Sequence, residues 1–266
     1  MRYAEYFLPD STFRFIKEIR AGERPWSALD RIGDLIAGFT RGMADYVPPG
    51  FETSVRMGGG DGGAYLLVTR SFKLGEPLYL RELALYAGEG TLVEAGAFLR
   101  GPLYVGEGCE IRHGAYLRGE VIVGDGCVIG HASEIKNSII MNRSNAGHFN
   151  YVGDSVIGSR ANLGAGTILA NLQFRGRDEI DSGKIKDIFL REGGQGISSG
   201  RSKLGAVVGD YCEIGCNTVT APGALIGSDC WIYPNTTVGK GVYPPRSVIR
   251  PASHALEIKP RPGKAD

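Results

Sequence analysis

A six-residue period runs through the middle of this chain. Reading every sixth residue from Val93 to Met141 gives an aliphatic residue or methionine at each of nine consecutive positions. The period shifts by one residue after this stretch, shifts again, and returns between Val208 and Val238. Four residues after most of these aliphatics comes a small residue, often with glycine, aspartate or asparagine between the two. The pattern predicts a mainly β fold, a parallel β-helix of hexapeptide repeats in which short strands wind around a triangular prism.

The composition agrees with such a repeat and excludes several other classes of protein. Glycine accounts for 41 of 266 residues, about twice the usual frequency, without the period of a collagen. The formal net charge of +1 gives no field that would attract nucleic acid or a membrane surface. Neither a secretory signal nor an apolar run of membrane-spanning length is found. We therefore expect a cytoplasmic protein with no nucleic-acid partner and no membrane partner.

The period divides the chain into three predicted regions. Residues 1–72 lack the period and are expected to form a small, partly helical N-terminal region, residues 73–250 the β-helix, and residues 251–266 an extended tail. Residues 172–203 interrupt the period as an insertion. Loops of this length inside compact folds are usually functional or disordered, so the insertion could cover a neighbouring site.

Two helices are predicted in the N-terminal region. Asp10–Thr12 can cap the first helix, and Pro25 can begin the second. Both carry apolar stripes, which we expect to pack against one end of the prism and cap it. The glycine-rich stretch Gly58–Gly63 lacks the Gly-Lys-Ser/Thr ending of a phosphate-binding loop, so it predicts a turn or hairpin.

The five cysteines are predicted to be free thiols. One complete coil takes 18 residues, so residues 18 apart stack at about 4.8 Å on neighbouring coils. Cys109 and Cys127 are such a pair, and so are Cys212 and Cys230. All four occupy the small interior position, which predicts buried thiols. Cys216 follows its aliphatic by two residues and is expected to point outward.

Two columns of polar residues are expected on the outer surface. Arg100, Arg118 and Lys136 form a column of cations, which either anchors a phosphate group or is a solvated basic ladder relieved by carboxylates such as Glu94 and Glu134. A second column contains three histidines, and each could be a surface residue or a general base: His113, His131 and His148. Hexapeptide proteins related to carbonic anhydrase bind zinc with a second histidine five residues further on, and this chain has no such pair, so no metal is predicted.

One stretch of the chain resembles a known family. It comprises Ala146–Asp154, Ala161–Ile168 and Asn171, followed by the run Ser199–Ala206. It resembles the acetyltransferase domain of bifunctional glucosamine-1-phosphate acetyltransferase/N-acetylglucosamine-1-phosphate uridylyltransferase, especially the archaeal-type sugar-1-phosphate nucleotidylyltransferase/acetyltransferases. The resemblance covers about residues 87–250. It implies a left-handed β-helix, acetyl transfer from acetyl-CoA to an amino-sugar 1-phosphate, and a homotrimer with active sites between subunits.

The resemblance also implies roles for individual residues on the sugar side of the site. His148 matches the general base that takes a proton from the sugar amine, and an imidazole suits this role because its pKa lies near neutral pH. Asn171 matches a residue close to the amine and the thioester. The remaining matches bind the sugar phosphate or the sugar itself: Arg118, Lys136, Tyr151 and Asn162.

On the acetyl-CoA side, the chain departs further from the family. Ala165 and Lys203 match positions that receive the cofactor. Cys216 stands where the family commonly has serine, and Pro234 where it has a small alanine. The phosphate loop of the family's nucleotidyltransferase half has no counterpart in residues 1–86, so uridylyl transfer is not expected. Two alternatives follow, a non-catalytic sugar-phosphate or sugar-nucleotide binding protein and a scaffold trimer.

Overall fold

Three β-sheets wound into a triangular prism form the body of the protein. The computed structural model describes residues 3–59, 63–192 and 195–252. Within these ranges each of the three large sheets has nine strands, and most neighbouring strands run parallel, as β10 (Tyr116–Arg118) and β13 (Glu134–Lys136) do. The predicted parallel β-helix is therefore confirmed. No helix in these ranges is long and apolar enough to cross a membrane.

The chain begins with short helices. These are 3-10 turns at Tyr3–Glu5 and Ser27–Arg31 and the α-helices α1 (Ile16–Arg20) and α2 (Ile32–Phe39). The apolar residues Ile32, Leu35 and Ile36 recur at helical spacing and are all buried. The predicted cap at Asp10–Thr12 is wrong, because α1 begins after Phe15 without a side-chain cap. The hydroxyl of Thr12 instead accepts a hydrogen bond from Asn142 Nδ2 at 3.3 Å.

The next segment closes one end of the prism with antiparallel strands. It contains β1 (Val55–Gly58), β2 (Tyr65–Val68), β3 (Phe72–Lys73) and β4 (Leu78–Leu80), with 3-10 turns at Glu52–Ser54 and Arg81–Leu83. Strands β1 and β2 pair antiparallel on either side of the glycine-rich stretch, whose residues 60–62 lie outside the described ranges. Phe51, Leu66 and Leu78 from this segment are buried in the same core as the prism interior.

From Leu85 onward the strands visit the three sheets in a fixed order. Before the insertion they are β5 (Leu85–Ala87), β6 (Leu92–Val93), β7 (Phe98–Arg100), β8 (Leu103–Val105), β9 (Glu110–Ile111), β10, β11 (Val121–Val123), β12 (Val128–His131), β13, β14 (Ser138–Ile140), β15 (Asn145–His148), β16 (Tyr151–Gly153), β17 (Val156–Ile157), β18 (Asn162–Leu163) and β19 (Ile168–Leu169). The insertion contains α3 (Arg177–Ser182), β20 (Phe189–Glu192) and β21 (Gln195–Ser198). After it come β22 (Ala206–Val208), β23 (Glu213–Ile214), β24 (Val219–Thr220), β25 (Ala224–Ile226), β26 (Trp231–Ile232), β27 (Thr237–Val238), β28 (Gly241–Tyr243) and β29 (Val248–Ile249).

We name the faces of the prism by their sheets. Sheet A contains β4, β5, β8, β11, β14, β17, β22, β25 and β28. Sheet B contains β1, β2, β7, β10, β13, β16, β19, β24 and β27. Sheet C contains β3, β6, β9, β12, β15, β18, β23, β26 and β29. In each coil the chain passes from sheet A to sheet C and then to sheet B. Residues at equivalent positions of successive coils therefore lie on the same face or the same edge of the prism.

The interior follows the predicted period. Leu99 pairs with Leu117 and Leu117 with Ile135, and all three are at most 3% exposed. The one-residue shifts correspond to shorter coils, since Val128 pairs with Asn145 rather than with a residue 18 positions on. Each buried aliphatic side chain contributes about 1.5–3 kcal/mol to folding.

The thiols lie as predicted. Four cysteines are buried and free, while Cys216 is free and exposed. The buried thiols contact backbone carbonyl groups of the next coil, with Cys109 Sγ 3.0 Å from the Gly124 oxygen. Burial raises the pKa of the Cys127 thiol well above its usual range, so this thiol stays protonated at neutral pH.

The N-terminal helices cover a side of the prism, and the prediction that they cap its end is wrong. The outward residues of sheet A, which include Tyr104, Ile122 and Ile139, are at most 2% exposed. They pack in one cluster with helix residues such as Ile19 and Trp26. The physical reason is that the strands of sheet A are apolar at three successive positions, as in Val121–Val123, so both of their faces must be buried.

The first part of the insertion is mostly exposed, and its later part is buried against the prism. Ile188 and Leu190 are fully buried in the cluster over sheet A, and the indole nitrogen of Trp26 donates to the Ser199 oxygen at 3.1 Å. In contrast, residues 172–186 are mostly exposed and include Phe174, whose side chain is fully exposed. The part of the insertion that packs onto the prism therefore covers sheet A, and not the outer face of sheet B.

Candidate functional site

The predicted column of cations lies on the outer face of sheet B. Arg100 and Arg118 stand opposite each other on β7 and β10, and Lys136 follows on β13. Arg118 Nη1 lies 2.6 Å from Glu134 Oε1, and Lys136 Nζ lies 3.2 Å from Asp154 Oδ2. The column therefore exists, and carboxylates balance its second and third cations.

A buried carboxylate organises the surroundings of Lys136. The Asp154 side chain is only 4% exposed and accepts four hydrogen bonds. Asn137 Nδ2 donates at 2.7 Å and Asn171 Nδ2 at 2.5 Å, while Lys136 Nζ and Arg201 Nη2 each donate at 3.2 Å. Arg201 also pairs with Asp30 of the N-terminal region. A buried carboxylate needs such partners, because an unpaired one would lose several kcal/mol of hydration.

Tyr151 and Asn171 complete the cluster on sheet B. Tyr151 lies on β16 directly opposite Glu134, and its hydroxyl and the Asn171 amide both crowd Gly153. A Cβ atom on Gly153 would stand 2.6 Å from Tyr151 Oη and 2.8 Å from Asn171 Nδ2, so only glycine leaves room for both. Burial raises the pKa of Tyr151, and the charges of Glu134 and Asp154 raise it further. Tyr151 therefore remains a neutral phenol, able to donate a hydrogen bond.

His148 lies on the edge between sheets C and B. It is exposed and stands directly opposite His131, whose ring stacks on that of His113 with a centroid distance of 5.6 Å. The backbone nitrogen of His148 donates to Asn150 Oδ1 at 3.0 Å. In the described ranges, no group of three or more potential ligands could hold a metal ion.

Three of the predicted cofactor residues lie on the same edge as His148, at the equivalent position of the coils that follow. Ala165, Cys216 and Pro234 follow His148 on consecutive coils. Backbone hydrogen bonds fix this order, since Gly166 donates to the His148 oxygen at 3.0 Å, Asn217 to the Ala165 oxygen at 2.8 Å, and Asn235 to the Cys216 oxygen at 2.9 Å. With about 4.8 Å per coil, the column spans about 14 Å.

The outer face of sheet C carries a groove beside this column. It has a volume of about 480 Å³, and its lining includes Asn162, Glu213, Cys216, Trp231 and Pro234. Asn162 Nδ2 donates to Glu213 Oε2 at 3.1 Å. Asn162 is thus on sheet C, whereas its predicted partner Tyr151 is on sheet B, across the edge that carries His148.

Lys203 is not brought together with the other predicted cofactor residues. It is exposed and lies where the chain returns from the insertion, because the next residue, Leu204, donates its amide to the Asn171 oxygen at 3.0 Å. Its backbone oxygen accepts from Arg201 Nε at 3.1 Å. Lys203 is therefore close in the chain fold to the Asp154 cluster rather than to the Cys216 column.

Sequence reasoning missed Asp154, Arg201 and Trp231. Asp154 is the last residue of the stretch Ala146–Asp154, and Arg201 lies in the run Ser199–Ala206. Both belong to the motifs that carry the family resemblance, so an assignment based on those motifs could have included them. Trp231 precedes the inward Ile232, and its outward position on β26 follows from the period.

Two comparisons with known proteins bear on this arrangement. Residues 99–215 match the GMPPB C-terminal domain family. Over 73 residues the chain is 41% identical to a bifunctional sugar-1-phosphate nucleotidylyltransferase/acetyltransferase of Sulfurisphaera tokodaii (strain DSM 16993 / JCM 10545 / NBRC 100140 / 7). That match covers 27% of this chain and 16% of the relative, so the chain spans only a small part of the relative's length. The resemblance predicted from the motifs is thereby confirmed.

Proposed function

We propose that this chain, which resembles the acetyltransferase part of sugar-1-phosphate nucleotidylyltransferase/acetyltransferases, transfers an acetyl group from acetyl-CoA to the amine of an amino-sugar 1-phosphate such as glucosamine-1-phosphate. The observation that carries the proposal is the cluster on sheet B. Arg118, Lys136, Tyr151 and Asn171 lie on one face, next to the edge that carries His148. This set provides cations for a phosphate, hydrogen-bonding groups for a sugar and a base for an amine.

The chemistry begins with the amine. His148 accepts a proton from the sugar amine, and the nitrogen then attacks the thioester carbonyl carbon, forming the C–N bond. The C–S bond breaks, and the leaving sulfur takes a proton to give free coenzyme A. Asn171 and backbone amides next to the Cys216 column stabilise the negative charge on the carbonyl oxygen as it develops.

Phosphate binding exchanges one set of ion pairs for another. Arg118 is 40% exposed and Lys136 is 26% exposed, so both can turn from a carboxylate to a ligand. A phosphate dianion carries more charge than Glu134 and offers more acceptor oxygens, and arginine can bind it through two parallel hydrogen bonds. The carboxylates hold the cations in position before the substrate arrives.

The proposed assembly is a homotrimer with sites between subunits. In one chain, the sheet B cluster and the sheet C groove lie on different faces of the prism. A neighbouring copy that presents its sheet C to this sheet B would bring Asn162 and the groove next to the cluster. The site would then be complete only in the oligomer.

A thiol-release assay tests the proposal. Acetyl-CoA and glucosamine-1-phosphate should release coenzyme A, and His148→Ala should reduce the rate at least 100-fold, because general-base catalysis contributes about 100- to 10,000-fold. His131→Ala is the matched control, since His131 occupies the equivalent position one coil away. Release that does not depend on the sugar or on His148 would contradict this mechanism.

One observation favours a second candidate, non-catalytic binding of a sugar phosphate or sugar nucleotide. Within the described ranges no side chain orients the exposed imidazole of His148, whereas catalytic histidines are usually held by a hydrogen bond. A scaffold trimer is the third possibility. Thermal stabilisation by glucosamine-1-phosphate without any thiol release would support binding alone.

A further inference from the structure

Two aromatic side chains are exposed on the outer face of sheet C. Trp231 is 57% exposed and Tyr233 is 42% exposed. They are two residues apart on one strand and the turn after it, so both point outward on the same face, about 7 Å apart. Tryptophan is highly buried on average, so an exposed indole in a groove indicates a binding surface.

The groove has a flat floor next to Trp231. Gly164 and Gly215 occupy the outward position on consecutive coils, where they provide only backbone. A Cβ atom on Gly164 would stand 2.6 Å from the Cys216 nitrogen, and one on Gly215 would stand 2.4 Å from the Pro234 nitrogen. Close packing of the coils therefore keeps this strip free of side chains; it runs beside the Cys216 column and ends at Tyr233.

The charges around the groove differ between its two ends. Glu213 stands opposite Trp231 on the preceding coil, on the side of Asn162. On the following coil, Ile249 pairs with Ile232 and its oxygen accepts a hydrogen bond from the Tyr233 amide at 2.9 Å, which places the exposed Arg250 beside Tyr233. A phosphate group is favoured at the Arg250 end and disfavoured at the Glu213 end.

We infer that Trp231 and Tyr233 form a stacking platform for the adenine of coenzyme A, with Arg250 near its phosphates. The thioester end of the cofactor then lies along the column from Pro234 towards His148. The inference rests on the proposed function, which assigns the Cys216 column to the acyl donor. It adds the residues that recognise the nucleotide, and it predicts that the nucleotide portion supplies much of the binding.

Intrinsic fluorescence gives a direct test, because the chain has two tryptophans and the other, Trp26, is only 1% exposed. In the Trp26→Phe variant all tryptophan emission comes from Trp231. Coenzyme A and AMP should both quench this emission, whereas pantetheine, which lacks the nucleotide, should leave it unchanged. Quenching by pantetheine equal to that by coenzyme A would overturn the inference.

Binding measured by calorimetry tests the same residue without fluorescence. Trp231→Ala should weaken coenzyme A binding roughly 10-fold, since loss of one base–aromatic stack has effects of this order. Trp231→Phe should retain most of the affinity because it keeps a stacking ring. Tyr211→Ala is the control, since Tyr211 is as exposed as Tyr233 but lies outside the groove, and it should bind like the parent.

The outcomes separate this inference from the proposed function. If coenzyme A binds Trp231→Ala and the parent equally well, the platform is wrong and the acetyltransferase proposal stands. If AMP and coenzyme A quench Trp231 but no acetyl transfer is detected, the platform stands and the acetyltransferase proposal is wrong. If no nucleotide binds the parent, the platform is wrong, and the thiol-release assay alone decides the function.

Discussion

At the scale of single residues, the carboxylate of Asp154 joins parts of the chain that are distant in sequence. Lys136 and Asn137 belong to the preceding coil, Asn171 immediately precedes the insertion, and Arg201 lies near its end. Arg201 then reaches Asp30 in the N-terminal region. One side chain thus positions both Lys136, the proposed phosphate-binding cation, and Asn171, the amide proposed to act at the thioester.

Replacing Asp154 with asparagine should therefore destabilise the protein and disturb the site. Two cations, Arg201 at 11% exposure and Lys136 at 26%, would lose their shared counter-charge. We expect the free energy of unfolding in urea to fall by about 3 kcal/mol, the usual order for breaking a buried ion pair.

The control for this change is Asp178→Asn, which removes a carboxylate from an exposed ion pair with Lys186. Surface pairs contribute little, so its unfolding curve should match that of the parent. An Asp154→Asn variant as stable as this control would show that the cluster does not depend on the charge of Asp154.

Cysteine reactivity provides a second test at this scale. Cys216 is exposed, while the other four thiols lie in the prism interior. A thiol reagent such as DTNB should modify one cysteine in the native protein at neutral pH and five after denaturation. Cys216→Ser should remove the fast reaction. Any fast-reacting thiol in that variant would mean that the coils open in solution.

At the scale of elements, the N-terminal helices bury the outer face of sheet A. Its outward residues would be surface residues in a bare prism, but the helices and the end of the insertion bury them. Aromatic contacts reinforce the packing, with the Phe15 and Tyr104 rings edge to face at a centroid distance of 5.0 Å. The helices thereby become part of a second hydrophobic core.

Ile139→Ala tests this second core. Ile139 is an outward residue of sheet A and is fully buried under the N-terminal region. Its truncation should lower the free energy of unfolding by about 2–4 kcal/mol, as in other hydrophobic cores.

Val219→Ala is the matched control, because Val219 is an outward aliphatic of sheet B and is 37% exposed. Its effect should stay within about 0.5 kcal/mol. Equal effects of the two truncations on denaturant unfolding would contradict the claim that the helices make sheet A part of a core.

The elements of the prism could be predicted from sequence because each obeys a local rule repeated along the chain. The period identified the inward Leu117, the stacked Cys109 and Cys127, and the outward Arg118 without any knowledge of the rest. The position of the helices could not be predicted in this way. Their apolar stripes show that they pack, but which surface receives them depends on outward residues of sheet A such as Tyr104 and Ile139, more than 60 residues further on.

The candidate site likewise has one part that the period predicts and one part that it does not. The columns containing Lys136 and His148 follow from coil arithmetic, and the structure places them as expected. The Asp154 cluster needs Asn171 and Arg201, which are separated by the insertion, so no period relates them. Their meeting is a tertiary contact, and only the folded chain reveals it.

At the scale of the whole molecule, the proposed trimer can be tested by mass. A chain of 28.5 kDa should behave as a species of three times that mass in light scattering after size-exclusion chromatography. The physical reason is that sheets B and C keep exposed apolar residues, Ile168 and Val248 among them, while the N-terminal region covers sheet A.

A monomeric mass at micromolar concentration would contradict the shared site. If the parent is a trimer, Ile168→Asp is a further check, because a charge on the exposed face of sheet B should shift the mass towards that of the monomer.

The cover over sheet A also sets how many neighbours one molecule can have. A bare triangular prism offers three faces, and units that each join three others can grow into a branched network. With one face closed by its own chain, this prism keeps two, and sheets B and C differ from each other in their outward residues. Units that join these two unlike faces to each other associate head to tail, which produces closed rings or linear chains. By covering sheet A, the N-terminal region thus limits the number of neighbours that one molecule can contact through its sheets. It restricts the possible assemblies before any partner binds.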